Sequence, residues 1–160
     1  MEFDEHRMET RARETDLSVV YTIDPAVVED YINTIEQLRV GDKSKVVDID
    51  LQYTGSCPNI DHKVAVAQLC MCHHVLIYHN CMATEPCDRF ARFVNSTDYK
   101  FATVETIDDV EALSVTSLAC KNLIEIRDHY KVWGSTKKDS LVELASAIIN
   151  PYYEKTKRDA

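Results

Sequence analysis

Every second side chain is apolar over residues 45–53, KVVDIDLQY. Val47, Ile49, Leu51 and Tyr53 fall on one side, and Val46, Asp48, Asp50 and Gln52 on the other, the pattern of a strand with one face in a core. Residues 17–23, LSVVYTI, are β-branched and aromatic and predict another strand. Residues 64–71 and 75–79 predict two more, joined as a meander through Cys72, His73 and His74, and residues 99–104 predict a further one. Between them the period changes to that of a helix. Val28, Tyr31, Ile32, Ile35 and Leu38 recur after Asp24-Pro25, a capping residue followed by proline at the first helical position, and Gly41 ends the run. Pro86 opens a short helix with Phe90 and Phe93, and residues 107–113 begin another with Asp108 and Asp109 in its first turn, where acidic groups suit the helix dipole. Residues 118–130 continue as helical or mixed structure. Over residues 139–149, Leu141, Leu144, Ala145 and Ile148 form one stripe that Pro151 stops. Strands first, then strands interleaved with helices, predict a mixed α/β architecture of about five strands flanked by helices.

The chain has 160 residues, enough for one core and too few for two ordinary domains. Residues 1–16 carry six acidic and three basic side chains and few large apolar ones, which predicts a mobile or peripheral helical arm outside a domain over residues 17–160. No apolar run approaches the roughly 20 residues that span a bilayer, and the first residues lack the apolar segment of a secretory signal. The expected location is intracellular, in the cytoplasm or alternatively the nucleus, with no membrane partner. In a reducing compartment the six cysteines are expected as free thiols. A formal net charge of −9 repels phosphate backbones and disfavours nucleic acid as a partner, although metal-dependent nucleases also have acidic clefts.

Three further groupings carry candidate chemistry. Cys70, Cys72, His73 and His74, with Cys81 nearby, are zinc-ligand types, but they lack the paired spacings of a structural zinc site, and thiols on one strand face also serve as small hydrophobes. With six cysteines and six histidines, a Cys-His catalytic pair can arise by accident. Tyr130 and Trp133 have the chemistry to stack on bases, and beside a helical stripe they equally suit a core.

A specific resemblance is carried by four segments in order: VVDIDLQYTGS, KVAVAQLCMCHHVLIYH, FARFVNSTDYKFATVETIDDVEAL and DSLVELASAIINPYY. Together they resemble the Werner-type 3′-to-5′ exonuclease domain, particularly its plant branch. The resemblance implies an RNase H-like fold and the site of the DEDD nucleases, in which four carboxylates hold two divalent metals, Mg²⁺ or Mn²⁺. Such metals sit about 3.5 to 4 Å apart, one activating water and the other stabilising the leaving oxygen. An Asp-x-Glu pair on one strand face presents both acids to them. Matching Tyr53 to the family's aromatic position puts the Asp at Asp50 and the Glu at Gln52, whose amide is neutral. In an alternative register Asp48 and Asp50 form the acidic pair. The second family Asp matches Asp109, with Asp108 as its neighbour, and both also suit a helix cap. The family's last motif, a Tyr and a following Asp on a late helix, is not reproduced by Tyr152, Tyr153 and Asp159, so the domain is expected to be truncated, without the family's last helix.

The resemblance therefore implies no competent catalytic residue, only the remnants Asp50, Gln52 and Asp109. Its metal ligands would be Asp50 and Asp109, or Asp48 in the alternative register. The leading expectation is a catalytically impaired exonuclease-like domain that acts as a protein-binding or regulatory, sequestering module and requires no cofactor, with Mg²⁺ or Mn²⁺ serving any residual nuclease activity. Its partner is expected to be another protein or a second copy. The alternative is an active Mg²⁺- or Mn²⁺-dependent 3′-to-5′ exonuclease on single-stranded RNA or DNA. A third reading is nucleic-acid binding without cleavage, which would be salt-sensitive.

Overall fold

The computed structural model describes residues 8–12, 15–43, 45–54, 64–104, 110, 113, 116 and 118–129. Its strands are β1 (Met8–Ala12), β2 (Thr15–Thr22), β3 (Val46–Tyr53), β4 (Val64–Met71), β5 (His74–Tyr78), β6 (Lys100–Thr103) and β7 (Leu123–Glu125). The helices are α1 (Pro25–Leu38), α2 (Asp88–Val94) and the single turn α3 (Ile126–His129), with a 3₁₀ turn over Asn80–Met82. The sheet order is β1-β2-β5-β4-β3-β6-β7. Antiparallel pairs β1–β2, β3–β4 and β4–β5 are combined with parallel pairs β2–β5 and β3–β6. This is the expected mixed α/β sheet, with seven strands among the described residues instead of about five.

Two of the additions correct the sequence reading. The helix expected within residues 1–16 is, over Met8–Ala12, a strand that pairs antiparallel with β2 from Met8↔Val19 to Ala12↔Thr15. Ladder hydrogen bonds to a neighbouring strand outweigh the weak helical preference of a short polar segment. In the segment expected as helical or mixed, Leu123–Glu125 is extended, and the Phe101 N–H donates to the Asn122 carbonyl just before it. The chain divides into compact units of residues 1–124 and 125–160. Within the second unit the buried Glu125 carboxylate accepts from Arg127 Nε and Nη2, both at 3.0 Å.

Helix α1 forms where its signals place it. Asp24 caps it, accepting from the Ala26 N–H at 2.8 Å, and Pro25 opens the first turn. Its apolar stripe, Val28, Tyr31, Ile32 and Ile35, is buried in one core with Val47, Ile49, Leu51, Leu69 and Leu76 of the sheet. The Tyr31 hydroxyl donates to the carbonyls of His74, at 2.9 Å, and Leu69, tying α1 to both strands of the β4–β5 hairpin. Helix α2 adds Phe90, edge-on to Tyr78, and Phe93, perpendicular to Phe101. Arg89 joins the two helices through an ion pair with Glu36. Among the described residues no helix is long and apolar enough to cross a membrane.

Ile32 is fully buried, so Ile32→Ala is expected to remove about 2–5 kcal/mol of stability in urea unfolding. Glu29→Ala, on the exposed side of the same helix, should stay within about 0.5 kcal/mol of the parent. Equal effects at the two positions would contradict the assigned helix face.

Candidate active site

Strand β3 sets the site by its two-residue period. Val47, Ile49 and Leu51 are buried, whereas Asp48, Asp50 and Gln52 are exposed. Successive outer positions therefore stand about 6.6 Å apart along one face. The register adds their neighbours: Asp48 lies opposite Cys70, Asp50 opposite Gln68 and Gln52 opposite Val66 on β4, and Asp48 lies beside Ala102 on β6. The pairing shifts between Gln52 and Tyr53, a local irregularity that ends the regular alternation there. Tyr53 is accordingly only half-buried.

The decisive contact lies within the strand. Gln52 Nε2 donates a hydrogen bond to Asp50 Oδ2 at 2.9 Å. A glutamate here would add a second anionic oxygen pair beside Asp50, but the amide supplies a donor that occupies a carboxylate lone pair. A hydrogen bond to an ionised group is among the stronger neutral-to-charged contacts. The acceptor is thus partly satisfied from inside the protein, where a divalent cation would require oxygen ligands. Among the described residues no group of three or more His, Cys, Asp or Glu is arranged to hold a metal ion. Of this pair, Asp50 alone supplies an anionic oxygen ligand, and the Gln52 amide oxygen is neutral.

Asp48 has a different environment. Although accessible as a residue, its carboxyl is partly desolvated, and this raises its pKa above the ordinary 3.8. Its neighbour across the strand pair, Cys70, is also held in the thiol form, first by burial and then by the charges of Asp48 and Cys72. Asp48 and Asp50 do share one face, as the alternative register requires. Asp108 and Asp109, the candidates for the facing helix, lie outside the described residues, as do Tyr130, Trp133, Tyr152, Tyr153 and Asp159. Of the cysteine-histidine cluster, Cys72 and His73 form the turn between β4 and β5, both exposed, and Cys81 is exposed in the 3₁₀ turn.

Sequence reading missed Cys70 as the neighbour of Asp48 and Gln68 as that of Asp50. Both sit in the strand it predicted, but which residues stand opposite each other depends on the hairpin register. It also missed Arg39, which donates through Nη2 to Cys72 Sγ at 2.9 Å across 33 positions of sequence.

The raised Asp48 pKa fixes the sign of a pH effect. The folded chain binds this proton more tightly than the unfolded chain. The stabilising contribution is therefore complete below 3.8 and is lost as pH rises through the raised value. Asp48→Asn removes the titration. Its stability relative to the parent, from urea unfolding, should improve between about pH 3.5 and about pH 7. A flat difference would show that folding leaves the carboxyl as solvated as in the unfolded chain.

No family model matches the sequence, and comparison with curated protein sequences finds no match. Solved structures do match the fold. The catalytic core of RRP6 from Trypanosoma brucei is 12% identical with a TM-score of 0.56, covering 68% of this chain and 29% of that one. RNase D from Escherichia coli, an exoribonuclease involved in structured RNA processing, is 12% identical with a TM-score of 0.57, covering 72% of this chain and 30% of that one. The EXD2 exonuclease domain soaked in Mn and GMP is 13% identical with a TM-score of 0.55, covering 82% and 69%. This chain thus spans less than a third of the RRP6 and RNase D chains. At such identity the likeness is one of fold: the chain has a mixed α/β fold similar to that of these exonuclease domains, with Asp50 and Gln52 on the outer face of a central strand.

Proposed function

We propose that this chain is a catalytically impaired 3′-to-5′ exonuclease-like domain that works by binding protein, as a regulatory or sequestering module. The observation that carries the reading is the Gln52 amide hydrogen-bonded to Asp50. Two-metal hydrolysis needs anionic oxygens to hold both cations, and at this position the chain offers a neutral donor. The core beneath is complete, with Val47, Ile49 and Leu51 all buried, so loss of charge on the outer face leaves the fold intact. The net charge of −9 disfavours a polyanion and favours a protein partner, either a different protein or a second copy. The finer family reading, a Werner-type domain of the plant branch, rests on the four ordered sequence segments alone.

One observation favours a second reading. Asp48 and Asp50 are both on the exposed face, so an acidic pair is present in the alternative register, and with Asp109 it would serve a Mg²⁺- or Mn²⁺-dependent exonuclease on single-stranded ends.

The two readings separate in one assay. The purified chain, incubated with a 3′-labelled oligonucleotide and Mn²⁺, is expected to leave it intact. Metal-dependent laddering lost in Asp50→Ala would establish the second reading. In titration calorimetry, Gln52→Glu is expected to tighten Mn²⁺ binding by about tenfold or more through the restored carboxylate. The module reading further expects a stable complex with a protein partner, or a self-associated species in gel filtration. A strict monomer that captures no protein would count against it.

A further inference from the structure

One thiol of the β4–β5 turn, a second two residues earlier in β4, and the Arg39 guanidinium at the end of α1 come together at this end of the hairpin. Met71 and His74 pair across the hairpin, leaving Cys72 and His73 as its two central residues. Cys72 has a φ of 54° and is the only non-glycine residue with positive φ among those described. Two-residue hairpin turns ordinarily place glycine, asparagine or aspartate at such positions. The turn therefore keeps a thiol against the preference of its backbone.

The surroundings of that thiol are specific. Cys72 is exposed, and Arg39 Nη2 donates to its sulfur at 2.9 Å. Arg39, the C-cap residue of α1, is held in place by an ion pair between Nη1 and Asp42. Reactive cysteines occupy electropositive, partly exposed surroundings of this kind. The second thiol is close by: Cys70 Sγ lies 3.9 Å from the Cys72 carbonyl oxygen. One intervening residue of extended chain separates the two Cα atoms by about 6.6 Å, inside the upper end of the range a disulfide can span. Both thiols are free.

The geometry points to a hydroperoxide-responsive dithiol in which Cys72 reacts first and Cys70 resolves it. The Cys72 sulfur attacks the terminal oxygen of the hydroperoxide, the O–O bond breaks, and the alcohol, or water from hydrogen peroxide, leaves with the thiol proton. Cys72 is then a sulfenic acid. Cys70 attacks that sulfur, an S–S bond forms, the S–O bond breaks, and the hydroxyl leaves as water with the Cys70 proton. Two electrons pass from the two thiols to one peroxide. A link near the limit of disulfide reach is strained and readily reduced by cellular thiols, which makes the modification reversible. The assignment is independent of whether the β3 face cleaves nucleic acid.

The test treats the reduced, full chain with hydrogen peroxide, blocks remaining thiols with N-ethylmaleimide, and maps peptides by mass spectrometry. Cys81 is the internal control, being exposed without a guanidinium against it among the described residues. Cys72 is expected to be lost from the blockable pool on the order of tenfold faster than Cys81, with a Cys70–Cys72 linked peptide as product. Cys70→Ser should accumulate a dimedone-reactive sulfenic acid at Cys72. Arg39→Gln should slow Cys72 toward the rate of Cys81. Cys72→Gly suits the positive φ and should fold at least as stably as the parent while forming no link. Equal rates for Cys72 and Cys81, or oxidation of Cys72 that never recruits Cys70, would overturn the assignment. If Arg39→Gln fails to fold, the rate ratio in the unaltered chain decides alone.

Discussion

Side chains along a strand alternate, and in β3 the inner set is committed. Val47, Ile49 and Leu51 are nearly inaccessible to solvent, each contributing roughly 1.5–3 kcal/mol by burial. A slip of one residue against β4 would expose all three and drive Asp48 and Asp50 into the core. The solvent-exposed hydrogen bond between Gln52 and Asp50 contributes less than these three burials together. The core therefore sets the register, and the polar face takes whatever positions remain. Helix α1 reinforces the same choice from the other side, since Tyr31 bonds to backbone carbonyls of both β4 and β5.

The outer face is then an electrostatic problem with a local solution. Two carboxylates along one strand, Asp48 and Asp50, repel each other across about 6.6 Å, and a metal nuclease relieves such repulsion with cations. In this chain the relief comes from groups already present. Gln52 donates to Asp50, and Asp48 is shifted toward its neutral form by desolvation. The first gives the Asp50 carboxylate a donor, and the second favours the uncharged form of Asp48.

The strand β3, the helix α1 with its Asp24 cap, and the β4–β5 meander were legible in the sequence because each rests on local periodicity or on a single capping residue. The strand at Met8–Ala12 was not, because its stability comes from pairing with β2 and not from its own composition. Leu123–Glu125 is three residues long, too short to display any period. At the site, spacing alone placed Asp48, Asp50 and Gln52 on one face. That Gln52 turns its amide onto Asp50 is a rotamer choice, and that Cys70 faces Asp48 is a matter of register. Neither is encoded in spacing. The contact between Arg39 and Cys72 joins a helix cap to a distant turn, so only the assembled hairpin reveals it.

The division of β3 into a buried and an exposed face also separates two kinds of evolutionary pressure. Substitutions at Val47, Ile49 or Leu51 are screened by folding, whereas those at Asp48, Asp50 or Gln52 are screened only by what the surface must do. Glutamine and glutamate codons differ by one base. A single point mutation thus separates the neutral side chain at Gln52 from a third carboxylate on this face, in either direction, and the core beneath would not register the change.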